Sequence, residues 1–152
     1  MKNLLLAISA LGLAVSVAHA GVIDDREALM KERGKIVGGL AKMAKGETPF
    51  DAAAVMTQLQ ALSANAEKAT AVDVLWPADS QTGKNAEGED TESSPKIWED
   101  MAGFKAATEK FKTDTAAAVA APPADLAALQ ATVGTIGKDC GGCHETFRLK
   151  KN

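Results

Sequence analysis

The chain of 152 residues contains two cysteines, both in the stretch "GKDCGGCHETFR" near its end, as Cys140 and Cys143, with His144 directly after the second. Two thiols and an imidazole this close together can do four kinds of chemistry. A disulfide between them would close a loop so short that it constrains almost no chain entropy. A zinc site needs about four ligands, and only scattered carboxylates are on offer beyond these three groups. A thioredoxin-like redox pair belongs at a helix N-terminus in a fold with βαβ units. The fourth is attachment of a c-type haem, whose signature is C-x-x-C-H. The spacing favours it: the thiols would add to the two haem vinyl groups as thioethers, and the imidazole would be the proximal ligand of the iron. On a helix the three residues share one face, at 100° per residue. They continue the stripe of Val133, Ile136 and Phe147, so the site is expected to point into a core, with a cavity beside His144. Gly141 and Gly142 lower helix stability by roughly 1 kcal/mol each and are read as room for a flat ring against the backbone.

The compartment follows from the other end. "MKNLLLAISALGLAVSVAHA" has a basic start at Lys2, an apolar run and a small-x-small close at Ala18-His19-Ala20, the pattern of a secretory signal peptide over residues 1–20. Residues 21–152 then form a single haem-binding domain. Removal of the signal takes His19 with it and leaves His144 as the one histidine. It also takes Lys2, so the 17 basic and 20 acidic side chains of the full chain become 16 and 20, a net charge of −4. That balance excludes nucleic acid as a natural partner. With no second long apolar segment, the exported chain is expected in a bacterial periplasm, without a membrane span.

The elements that must position the motif are helices. Ala28, Leu29, Ile36, Val37, Leu40 and Met43 recur at helical spacing between Asp24 and Lys45, with Gly46 as a stop. Asp51 caps a second helix with Val55, Leu59, Leu62 and Ala66 on its buried stripe, to about Ala69. Residues 71–94 are polar and acidic without a sustained period and form a long loop, its apolar "VLWP" end packed down and its acidic middle solvated. Ser94-Pro95 starts a third helix to about Ala120, carrying Ile97, Trp98, Met101, Phe104, Thr108, Phe111 and Val119. After "APPAD" a fourth bears Leu126, Leu129, Val133, Ile136, Cys140 and Phe147. No strand pattern occurs. The fold class is all-α, an antiparallel four-helix bundle with the haem in its core.

A second axial ligand cannot be histidine. Methionine is the common alternative in electron-transfer c-type proteins, and Met30, Met43, Met56 and Met101 are the candidates, among which spacing alone does not choose. The segments "DDREALMKERGKIVGGLAKMAKGETPFD", "LWPADS", "SSPKIWEDMAGFKA" and "IGKDCGGCHETFR" resemble the class II c-type cytochromes, the cytochrome c-prime and c-556 family, over essentially the whole exported length. The resemblance implies that the residue facing the open side of the iron is on the first helix, four after an arginine. Met30 and Arg26 stand at those positions. High-spin members carry leucine, phenylalanine or a similar residue there, and c-556-like members carry methionine. Arg26 would then pair with a haem propionate; its alternative is a solvated charge beside Asp24 and Asp25. Arg148 either covers the imidazole edge or favours the helix C-terminus, and Trp76 and Trp98 either abut the ring or fill the core.

These readings converge on a one-electron carrier with one covalently attached haem c, Cys140 and Cys143 as thioethers, and His144 and Met30 as axial ligands. It is expected not to be an enzyme, since no nucleophile–base pair or phosphate loop stands out, and its partners would be redox proteins. The alternative is a five-coordinate high-spin protein that binds nitric oxide or carbon monoxide beside an uncoordinated Met30. Related proteins commonly form homodimers through their first two helices.

Overall fold

The computed structural model describes residues 13–150, with side chains from residue 21 onward. The expected signal segment falls largely on residues 1–12, outside the described residues. Six helices follow in order: α1 (Leu13–Ala44), α2 (Ala52–Ala69), the single turns α3 (Val72–Leu75) and α4 (Lys96–Glu99), α5 (Met101–Ala120) and α6 (Leu126–Phe147). The described residues contain no strand beyond two isolated bridges. None of their helices is long and apolar enough to cross a membrane.

The four long helices form an antiparallel bundle in which α1 packs on α2 and α6, and α5 packs on the same two. Side-chain caps fix where the helices begin. The Asp51 carboxylate accepts from Ala53 N and Ala54 N at 2.9 and 3.0 Å, and Asp125 accepts from Ala128 N at 2.8 Å, each satisfying helix-start N–H groups. At the end of α1, Gly46 takes φ 75°, where a side chain would be strained. Its N–H bonds Met43 O and that of Glu47 bonds Lys42 O, closing the helix in Schellman fashion.

The third expected helix is not continuous. Ser94 does start it, its hydroxyl accepting from Lys96 N at 3.2 Å, but after one turn Asp100 leaves the helical region at φ −133°, ψ 60°. Its carboxylate then caps α5 by accepting from Gly103 N at 3.0 Å. The expected loop is also more structured than its polarity implies, because its polar groups find partners inside the molecule. Ser80, Asn85 and Thr91 are buried. Asn85 Nδ2 donates to Glu27 Oε2 at 3.0 Å, and Ala86 N donates to Asp24 Oδ1 at 2.9 Å, so two acids of α1 hold the loop down. Leu75 and Trp76 pack inward as expected, whereas Val74 is 70% exposed. Two residues assigned to core stripes face outward: Ala28 is exposed, and Leu126 is 39% exposed.

The buried side chains form two clusters. One holds Leu40, Met43, Val55, Leu59, Leu62, Phe111, Leu129 and Ile136; Cys140 packs against it. The other holds Val72, Leu75, Trp76, Ile97, Phe104 and Phe147, with Cys143 against it. The cysteine motif therefore straddles the seam between them.

Candidate haem site

Beside the second cluster lies a cavity of about 520 Å³, lined by Ile23, Arg26 and Met30 of α1, Trp76, Ile97 and Phe104, and Cys143, His144 and Phe147 of α6, with further residues of the loop. The volume is in the range of small-molecule and cofactor sites, about 300–1,000 Å³. α6 is held in place at its end by the loop: Ser94 N donates to Phe147 O at 3.0 Å, and Leu149 N to Glu92 O at 2.8 Å. Phe147 and Phe104 meet edge to face, with centroids 5.2 Å apart, and Phe104 meets Trp76 at 4.8 Å. These rings give the cavity an apolar wall.

Cys140 and Cys143 are partly buried free thiols. Burial pushes both thiols up, and the positive charge of Arg33 opposes that shift in each. His144 is exposed at the cavity. Its pKa is held below the usual imidazole range, first by desolvation and then by Arg148 and Arg33. A neutral imidazole keeps a lone pair for a metal. Cys140 does not line the cavity, although it belongs to the same helical face.

Met30 is partly buried and lines the cavity; among the described methionines it alone does so. Met43 sits in the cluster around Leu40, and Met101 packs on the one around Trp76. Arg26 lines the cavity as well but is not a solvated charge beside Asp24 and Asp25: it is 4% exposed. Its guanidinium donates to Leu75 O, to Ser80 O at 3.2 Å and to Ser80 Oγ. It also lies 5.4 Å from the centroid of Trp76 and 5.7 Å from that of Trp98. Burial lowers its pKa to about 10. The bonds it makes tie α1 to the loop. Arg148 continues from the end of α6, its N–H bonding His144 O, and its guanidinium is 3.8 Å from Glu92. Trp76 forms part of the cavity wall, while Trp98 stands outside it and donates to Pro77 O at 3.1 Å.

Arg33 and Asn65 escaped the sequence reading. Arg33 follows Arg26 by seven and Met30 by three, the spacing of one helical face, which is the signal that marks it. Asn65 carries no such signal; only packing reveals it.

The donor set fits a haem better than the other chemistries. No group of three or more His, Cys, Asp or Glu side chains among the described residues is arranged to hold a metal ion, which leaves zinc without a site. The thiols lie on an unbroken helix, three residues apart, rather than at a helix N-terminus. Gly141 and Gly142 face open space, where an added Cβ meets nothing within 4 Å, so no protein neighbour requires them.

Known proteins agree with this geometry. The family described as Cytochrome C' matches residues 21–148. A cytochrome c-556 of Agrobacterium fabrum is 42% identical over 91% of this chain and 88% of its own. A cytochrome c' of Rhodopseudomonas palustris is 40% identical over 93% and 91%. The solved structure of a cytochrome c' from Rhodopseudomonas palustris superposes with a TM-score of 0.76 at 39% identity, covering 86% of this chain and 98% of that one. Proteins of this kind carry one covalently attached haem c, and a helical bundle with a C-x-x-C-H motif opening onto a cavity is what that cofactor requires. The chain belongs to the cytochrome c-prime family, the class II c-type cytochromes.

Proposed function

We propose that this protein is a periplasmic one-electron carrier in which Cys140 and Cys143 hold the haem as thioethers and His144 and Met30 are its axial ligands. The observation that carries the reading is that Met30 from α1 and His144 from α6 line one cavity, while the other described methionines do not. When bound, the haem supplies an iron that gains or loses one electron, with a potential set by axial ligands, burial and nearby charge. The residues of the chain do the rest. Desolvation and the charges of Arg148 and Arg33 lower the pKa of His144, which favours the neutral imidazole that a metal binds. Trp76, Ile97, Phe104 and Phe147 keep water from the cavity wall. Arg26, fixed against Leu75 and Ser80, presents its remaining positive face to the same space and suits a propionate. With Met30 on the iron no position is left for a substrate, so the protein is not an enzyme.

The test is the visible spectrum of the reduced holoprotein with and without carbon monoxide, for the natural chain and Met30→Ala. The reading expects a sharp low-spin spectrum that carbon monoxide barely changes, and a high-spin spectrum in the variant. A broad high-spin spectrum in the natural chain, shifting at once with carbon monoxide, would make Met30 a pocket wall and the protein a gas binder.

A further inference from the structure

Arg33 of α1 is a half-buried charge with one terminal nitrogen in the interior. Its Nε donates to Asn65 Oδ1 at 3.0 Å, and its guanidinium lies 4.3 Å from the centroid of the Phe111 ring. Its second terminal nitrogen is buried without a hydrogen-bond partner among the described residues. Burial lowers its pKa. Asn65, itself 1% exposed, is fixed by donating to Leu29 O at 3.1 Å and Glu32 Oε2 at 2.7 Å. The fold thus builds a mount for a cation and, among the described residues, gives it no carboxylate in direct ion-pair contact, the Glu32 carboxylate bonding Asn65 instead. Burying a charge in that state is destabilising, and the ring of Phe111 offsets only part of it. The charge is permanent, because a guanidinium does not deprotonate at physiological pH.

The position of that charge relative to the motif supplies a reason for it. Phe111, against which Arg33 stacks, belongs to the cluster on which Cys140 packs, and Arg33 stands three residues beyond Met30 on α1. Gain of one electron at the iron lowers the charge of the site by one, and a fixed cation nearby favours that state. We propose that Arg33, mounted on Asn65 and Phe111, is the positioned charge that raises the reduction potential of the haem held at Cys140, Cys143 and His144. The inference rests on the haem assignment made above.

The experiment is a spectroelectrochemical titration of the holoprotein at pH 7 for the natural chain, Arg33→Met, Arg33→Lys and Asn65→Asp. Arg33→Met is expected to raise the ferric-to-ferrous ratio at a fixed poise about tenfold, which is about 59 mV toward lower potential for a one-electron couple. Arg33→Lys keeps the charge and is expected to stay near the natural value. Asn65→Asp keeps the guanidinium but sets a carboxylate beside it, so its potential is expected to fall as well, and it carries the test if Arg33→Met does not fold. A merely structural role would move the melting temperature of these variants and leave the potential alone. Potentials of Arg33→Met and Asn65→Asp at or above the natural value overturn the inference. Natural protein that retains no haem after denaturation overturns instead the assignment on which it rests.

Discussion

Arg26 illustrates how one side chain can serve two neighbours at once. It stands on the cavity, yet every bond that it makes goes to the loop, to Leu75 O and to the backbone and hydroxyl of Ser80. Arg26→Ala would leave those buried acceptors without a donor, and hydrogen bonds to a charged group contribute about 1.5–3 kcal/mol each. A loss of about 2–4 kcal/mol is expected, with faster proteolysis between residues 75 and 93, both measured on the holoprotein by thermal melting and timed digestion. Unchanged digestion would mean that the loop is held by Asp24 and Glu27 alone. At this scale the C-x-x-C-H motif was legible because its spacing is itself the chemistry. Met30 was reached through the family resemblance, and its place on the cavity is a structural observation. The partners of Arg26 and the isolation of Arg33 were not legible, because periodicity assigns a residue to a face but does not say how deep that face is buried.

Among the elements, the break at Asp100 and the link between α5 and α6 decide the geometry. The sequence showed a continuous apolar stripe from Ile97 to Val119 and hence one helix, while the interruption depends on a contact between near neighbours. A Cβ at Gly103 would collide with the Asp100 carboxylate. Gly103→Ala is therefore expected to destabilise by about 1 kcal/mol through loss of the cap. Gly134→Ala, on an exposed part of α6 where an added Cβ meets nothing, is expected to stabilise by about 0.5–1 kcal/mol. Urea melts of the two variants should shift in opposite directions; a shared sign would refute the cap argument. Between α5 and α6, Lys110 bridges Asp114 and Asp139. Desolvation raises the Asp139 carboxyl above its ordinary range, while the bond to Lys110 lowers Asp114. A raised carboxyl binds its proton more tightly in the folded state, so its contribution to stability falls as pH rises from the ordinary carboxylate range to the raised value. Asp139→Asn is expected to melt at or above the natural chain at pH 7. That advantage should vanish below about pH 3, where the carboxyl is protonated in both states. A variant that melts lower at pH 7 than the natural chain would show that the bridge to Lys110 outweighs the burial.

For the whole molecule the cavity is the main issue. It is lined by the cluster around Trp76 and Phe104, on which Cys143 packs, whereas the cluster around Leu40, on which Cys140 packs, stays outside it. Without an occupant, water enters its 520 Å³ from the open side against a wall that includes the apolar side chains of Ile97, Phe104 and Phe147, and water against apolar surface is unfavourable. A group that binds only the folded chain stabilises it by mass action, and a covalent one cannot be lost by dilution. A haem in the cavity would thus complete the core beside Trp76, Ile97, Phe104 and Phe147. The double variant Cys140→Ala/Cys143→Ala, purified free of haem, is expected to keep much of its far-ultraviolet helical signal. It should lose the near-ultraviolet signal of Trp76 and Trp98, bind a hydrophobic dye, and melt over a broad range, the marks of secondary structure without fixed packing. A sharp, cooperative melt close to that of the holoprotein would show that the two clusters suffice without the cofactor, and that the cavity is preformed rather than held open by its occupant.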